Sequence, residues 1–254
     1  MFATLVLTLL IAKPRVAPTL SPEMAHQLAI ASQNYGGAPV PVSQLSSATG
    51  MYMSPTDDIW VYANAQDPQK DEYLRAWGAN GRAIPIPGDD PQASSWSLIK
   101  WDLSGFSNTK LVSAQLILTA SPDAGYTAKD AADAPLEARP AKSGFSESKW
   151  NYSDAEQFEP IGTETDVFGE SSPPNIDSSG FKIVIDLMKG PSNFSDYFTK
   201  AMKKDKVIAI AISSRIDPSK LGREGIYKVY SKDASDPMVR PALRLVFDES
   251  KKKK

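Results

Sequence analysis

Apolar residues fall on every second position in stretch after stretch of this chain, and a period of two leaves β-strand as the dominant choice. In IKWDL, Ile99, Trp101 and Leu103 share one face while Lys100 and Asp102 take the other. Ser104-Gly105 and Ser107-Asn108 then supply turn chemistry. Beyond that turn Val112, Ala114, Leu116, Leu118 and Ala120 form the inward face of a second strand, with Ser113, Gln115 and Thr119 outward. An antiparallel pair is the simplest reading of the two runs. The pattern recurs in DIWVYA (58–63), YLRAW (73–77), FKIVIDL (181–187), IYKVYS (226–231) and RPALRLVF (240–247). VIAIAI (207–212) is apolar on both faces and predicts a central, fully covered strand.

One segment has a different period. In SNFSDYFTKAMKK (192–204), Phe194, Tyr197, Phe198, Ala201 and Met202 make one helical stripe, with Ser192 or Asn193 as cap and Lys203-Lys204 suited to the C-terminal dipole. Many short strands and one helix predict an all-β fold, a two-sheet antiparallel β-sandwich of jelly-roll type over residues 51–248. Three long loops interrupt it, at 78–95, 121–134 and 151–180, and loops of that length carry function or disorder.

The flanks read differently. Residues 1–20 contain an apolar run, Phe2 to Ala12, of signal-peptide length and too short to span a bilayer. Export to the cell surface or medium is the expectation, with no membrane span in the mature protein. Residues 21–50 read as a short helix and a Gly/Pro/Ser linker, and 249–254 as a basic tail. The formal net charge of -2 lacks the basic footprint of a nucleic-acid binder. With no cysteine among 254 residues, disulfides, thiolate metal sites and cysteine nucleophiles are excluded together.

The order of segments resembles the DNRLRE-type domain, a jelly-roll carbohydrate-binding module of secreted and surface proteins. The resemblance rests on SLIKWDLS (97–104), TKLVSAQLILTA (109–120), SESKWNYSDA (146–155), FKIVIDL with its helix, VIAIAIS (207–213), YKVYSKDA (227–234) and RPALRLVF. It implies a non-catalytic, secreted or cell-surface module that binds polysaccharide. The alternative is a structural subunit that packs against copies of itself.

The residues themselves argue against catalysis. The single histidine, His26, precedes the predicted domain, so a Ser-His-Asp triad or a multi-histidine metal site cannot form within it. For a sugar, Trp77, Trp96, Trp150, Tyr152 and Tyr227 are candidate stacking rings. For an acidic polysaccharide, Arg75, Lys100, Lys228 and Arg244 are outward by alternation, with Arg139 a further candidate. The ligand set narrows to Arg75, Trp77, Lys100, Trp150, Tyr227 and Lys228. Calcium is a candidate cofactor, with Asp57 and Asp58 as ligands and further carboxylates in the Asp89-Asp90 and 154–177 loops.

Overall fold

The computed structural model describes residues 51–248 apart from 87, 107–109, 124, 158, 172–181 and 223. The export segment, the helix at 21–33, the linker, His26, the Lys tail and Phe181 lie outside the described residues. Eleven strands among those described are β1 (Met51–Met53), β2 (Asp57–Val61), β3 (Tyr73–Ala76), β4 (Trp96–Asp102), β5 (Leu111–Thr119), β6 (Leu136–Pro140), β7 (Gly169–Glu170), β8 (Lys182–Asp186), β9 (Val207–Ser214), β10 (Tyr227–Tyr230) and β11 (Ala242–Phe247). Three α-helices accompany them: α1 (Ala128–Asp133), α2 (Phe194–Lys204) and α3 (Pro218–Leu221).

The strands form three sheets: a four-stranded sheet β1-β11-β5-β8, a five-stranded sheet β2-β4-β9-β6-β7, and a separate ribbon β10-β3. The fold is therefore mixed α/β with three sheets, and the expected all-β, two-sheet jelly roll is corrected. Alternation sets which face a residue takes and says nothing about which strand lies beside it.

The run from Trp96 to Thr119 makes the point. β4 pairs with β2 and β9, while β5 pairs with β11 and β8. β4 and β5 therefore belong to different sheets and form no hairpin, and the Ser107-Asn108 turn lies outside the described residues. The inward face of β5 is also shifted at its start. Phe247 pairs with Leu111 and Val246 with Ser113, so Val112 is the extra residue of a bulge and stands 61% exposed. From Ala114 onward the alternation is as read, with Ala114, Leu116, Leu118 and Ala120 fully buried.

The main core draws on all three sheets. Trp101, Leu116, Leu118, Ile185, Ile210, Val229 and Leu243 meet in one apolar cluster, closed by Phe194, Phe198 and Met202 of α2. Asn193 caps that helix, its side chain accepting from the Asp196 N–H at 3.1 Å. The Trp101 indole donates to the Met53 carbonyl at 3.2 Å. β9 is covered on both faces, as its sequence implies: Ile208, Ile210 and Ile212 enter the main core, and Ala209 and Ala211 enter a second cluster. That second cluster holds Ile59, Val61, Trp96, Leu98, Phe145 and Ala155, with Trp150 and Tyr152 packed against it. The segment from Ala141 to Ala155 thus lies over the five-stranded sheet.

The loop at 121–134 contains α1, capped by a reciprocal Thr127–Asp130 box in which each residue's side chain accepts from the other's backbone N–H. β6 follows it and buries an ion-pair network. The Arg139 guanidinium is 0% exposed; it meets the Glu137 carboxylate, donates to Ser213 Oγ at 3.0 Å and reaches the carbonyls of Thr163 and Glu164 at 3.1 and 3.0 Å. Arg215 closes the network, 3.2 Å from Glu137 and 2.7 Å from Glu164. Arg139 is a core residue, not an outward one.

Candidate metal centre

By strand alternation Asp57 and Asp58 point to opposite faces of β2. Asp57 meets Lys100 Nζ at 3.0 Å and accepts from the Glu147 N–H at 3.2 Å. The Asp58 N–H in turn donates to Glu147 Oε2 at 3.3 Å, so the 3-10 turn Glu147–Lys149 is tied to β2 by a reciprocal pair of bonds. Asp58 Oδ2 accepts from the Lys232 N–H at 2.7 Å, which fixes the turn after β10 to the same point. Three segments far apart in sequence converge here.

The carboxylates of Asp58, Glu147 and Asp233 result, with one oxygen from each within 4.8 Å of the others. Asp58 and Glu147 are buried and Asp233 is exposed. Lys232 Nζ stands among them, 2.9 Å from Glu147 Oε2 and 2.8 Å from Asp233 Oδ1. Burial pushes the Asp58 carboxyl up to about 8, against the Lys232 N–H that favours its charge, and the Glu147 charge pushes it further. Burial also raises Glu147, opposed by its bond to Lys232 and reinforced by Asp233. For Lys232, burial works against the ammonium, but Asp233 and Glu147 outweigh it and hold it protonated.

One ammonium faces three carboxyl groups, and burial keeps the Asp58 proton on up to about pH 8, so the site's full negative charge develops only when that proton leaves, as it does when a cation takes its place. The donors are all hard oxygens. A calcium ion binds oxygen at roughly 2.3–2.6 Å, so ligands on opposite sides of it lie up to about 5 Å apart. The triad fits that span and can coordinate a metal ion.

The other residues singled out in the sequence are placed as follows. Lys100 donates to the Phe145 carbonyl at 2.6 Å and lies over the Phe145 ring. Arg75 pairs with Asp71 and stacks on Trp60, 4.5 Å from the ring centroid. Lys228 pairs with Asp123 at 2.8 Å and lies over Tyr73. Arg75 and Lys228 are cross-strand partners in the β3–β10 ribbon, and Lys100 sits elsewhere, on β4. Arg244 bonds Gln115 at 3.0 Å. Tyr227 is buried, its hydroxyl donating to the Ala134 carbonyl at 3.0 Å, and burial raises its pKa. Trp77 is half-buried against Tyr62 and Trp60. Trp150 and Tyr152 lie on the second cluster.

Comparison with protein-family models finds no match to this chain, and comparison with curated proteins finds none either. The DNRLRE-type resemblance is overturned by the three-sheet architecture and its helices. The polysaccharide-binding function and the polysaccharide partner, which rested on that fold, go with it. Among the described residues no helix is long and apolar enough to cross a membrane. Of the triad, Asp58 was within reach of the sequence as half of an acidic dipeptide. Glu147 and Asp233 were missed; their only signal was a carboxylate inside each of two otherwise strand-flanking turns.

Proposed function

We propose that this domain is an exported, non-catalytic module in which Asp58, Glu147 and Asp233 hold a structural calcium ion. The observation that carries the reading is the convergence of three oxygen donors from segments about ninety residues apart along the chain. An ion there links β2, the turn at Glu147 and the turn after β10. Closing loops of that length restricts the unfolded chain and stabilises the fold. The chain has no cysteines, so an ion of this kind supplies the cross-link that disulfides give other exported domains. Calcium suits the donor set because it accepts six to eight oxygens in flexible geometry, and the 41% exposed Asp233 side chain leaves a solvent-facing side for water ligands. Lys232 Nζ gives up its place when the ion enters. The apolar run at Phe2 to Ala12 supports export, and extracellular modules bind calcium at roughly 10⁻⁴–10⁻³ M, which millimolar external calcium fills.

Thermal and urea unfolding of the full chain in EDTA and in calcium tests the metal. Calcium at a hundred times its dissociation constant should add about 2.7 kcal/mol, and Asp58→Asn should remove that gain. An unfolding curve indifferent to calcium in the native sequence would sink the reading. Export is tested by fractionating the producing cells. Protein kept inside with residues 1–20 intact counts against it.

A further inference from the structure

A cavity of about 550 Å³ opens between the loop that follows β3 and the segment from Asp217 to Ile226. Small-ligand sites run from roughly 300 to 1,000 Å³. Its wall is aromatic. Tyr62 and Trp77 meet edge to face with ring centroids 5.0 Å apart, and both rest on the main core. Its rim is lined by the polar residues Asn80, Gln92, Asp217, Ser219 and Glu224, with the Asp217 side chain 9% exposed. Among the described residues no lysine or arginine lines it.

The wall is fixed before any ligand arrives. The Trp77 backbone exchanges two hydrogen bonds with Ser95, at 3.0 and 2.9 Å. The Gly78 N–H donates to the Ile216 carbonyl at 2.7 Å, and a Cβ at Gly78 would lie 2.0 Å from the Arg82 carbonyl oxygen. Asp217 is held just as firmly: Oδ2 accepts from the Asn80 N–H at 3.2 Å, and Oδ1 accepts from the Ser219 N–H and hydroxyl at 3.1 and 2.6 Å. Burial works against the Asp217 charge, and these bonds outweigh it and keep the carboxyl ionised. Its one lysine neighbour, Lys220 at 3.5 Å, is 61% exposed and screened by water. Glu224 is exposed and makes no ion pair among the described residues.

A ring face attracts a cation over a neutral group, and the two carboxylates act in the same direction. Anionic ligands meet two like charges. We propose that this cavity binds a small organic cation of the guanidinium or alkylammonium class, with its charge between the Trp77 ring and Glu224. The Asn80 and Gln92 amides take the ligand's remaining polar atoms, and Tyr62 and Ile226 its carbon skeleton.

The full chain in EDTA is titrated with arginine methyl ester and with its uncharged analogue butylurea, and the titration is repeated with Asp58→Asn, whose unchanged affinity separates this cavity from the carboxylate triad. Calorimetry should show saturable binding of the cation alone, weakened by added salt, and the Trp77 indole N–H resonance should move. Glu224→Gln should weaken binding about tenfold. Its melting temperature should be unchanged, because the side chain it alters is solvent-facing. Equal binding of butylurea, unchanged affinity in Glu224→Gln, or no saturable binding of the cation would each overturn the assignment.

Discussion

Replacing Arg139 by methionine keeps most of the side-chain volume and removes every donor the guanidinium supplies. Four acceptors lose their partner: Glu137, Ser213 Oγ and the carbonyls of Thr163 and Glu164. Glu137, itself 1% exposed, is left with Arg215 alone, and that arginine is 36% exposed. Breaking a buried pair from one side costs about 3–5 kcal/mol, because the remaining charge is uncompensated. Burial already pushes the Glu137 carboxyl up, and Arg139 is the largest influence opposing it. The variant therefore takes up a proton at Glu137 and loses less stability at pH 5 than at pH 8. Equilibrium urea unfolding of Arg139→Met, Glu137→Gln and the double variant completes the measurement. The double variant should be less destabilised than the two singles added together, by about 1–3 kcal/mol. A loss below about 1 kcal/mol in Arg139→Met, or additivity within about 0.5 kcal/mol, would show that the network contributes little and that the reasoning is wrong.

The remaining predictions concern the triad and the core. Asp58 titrates near 3.8 in the unfolded chain and about 8 in the fold, so the folded state binds its proton more tightly. In EDTA, stability should be undiminished by this group below pH 4, fall as pH rises toward 8 and level off above it, at most about 1.4 kcal/mol per pH unit. Asp58→Asn should flatten the profile in urea titrations across that range, and a native profile that rises with pH would contradict the assignment. Trp101→Ala removes a fully buried indole together with its bond to Met53 and should cost about 3–5 kcal/mol in the same assay.

Local features were legible in the sequence where one face of an element decides its residues. The stripe of α2, the double-sided burial of β9 and the inward set of β5 from Ala114 onward all follow from periodicity. Partnership was not legible. β4 and β5 adjoin in sequence yet join different sheets, and their partners β9 and β11 lie more than a hundred residues away. The bulge at Val112 shifted one residue out of an otherwise correct pattern because the partner strand imposes it. Alternation places Arg139 with Glu137 on the face of β6 opposite Leu136 and Ala138, and what it cannot show is that Thr163, Glu164 and Ser213 cover that face and bury the guanidinium. Three carboxylates from separate turns form a site only once the fold exists, and no spacing rule joins Asp58, Glu147 and Asp233.

The pairing of β1 with β11 has a consequence for biosynthesis. β11 lies between β1 and β5 in its sheet, with Met51 opposite Leu245. A chain emerging in order has β1, β5 and β8 in hand with no strand to join β1 to the rest until β11 appears. The four-stranded sheet is therefore completed only once β11 is made, after β1, β5 and β8. A truncation that removes β11 detaches β1 as well and exposes the long edge of β5 to pairing with other chains. The same adjacency brings the two ends of the domain to one sheet edge, where a circular permutant joined there keeps every strand pair intact.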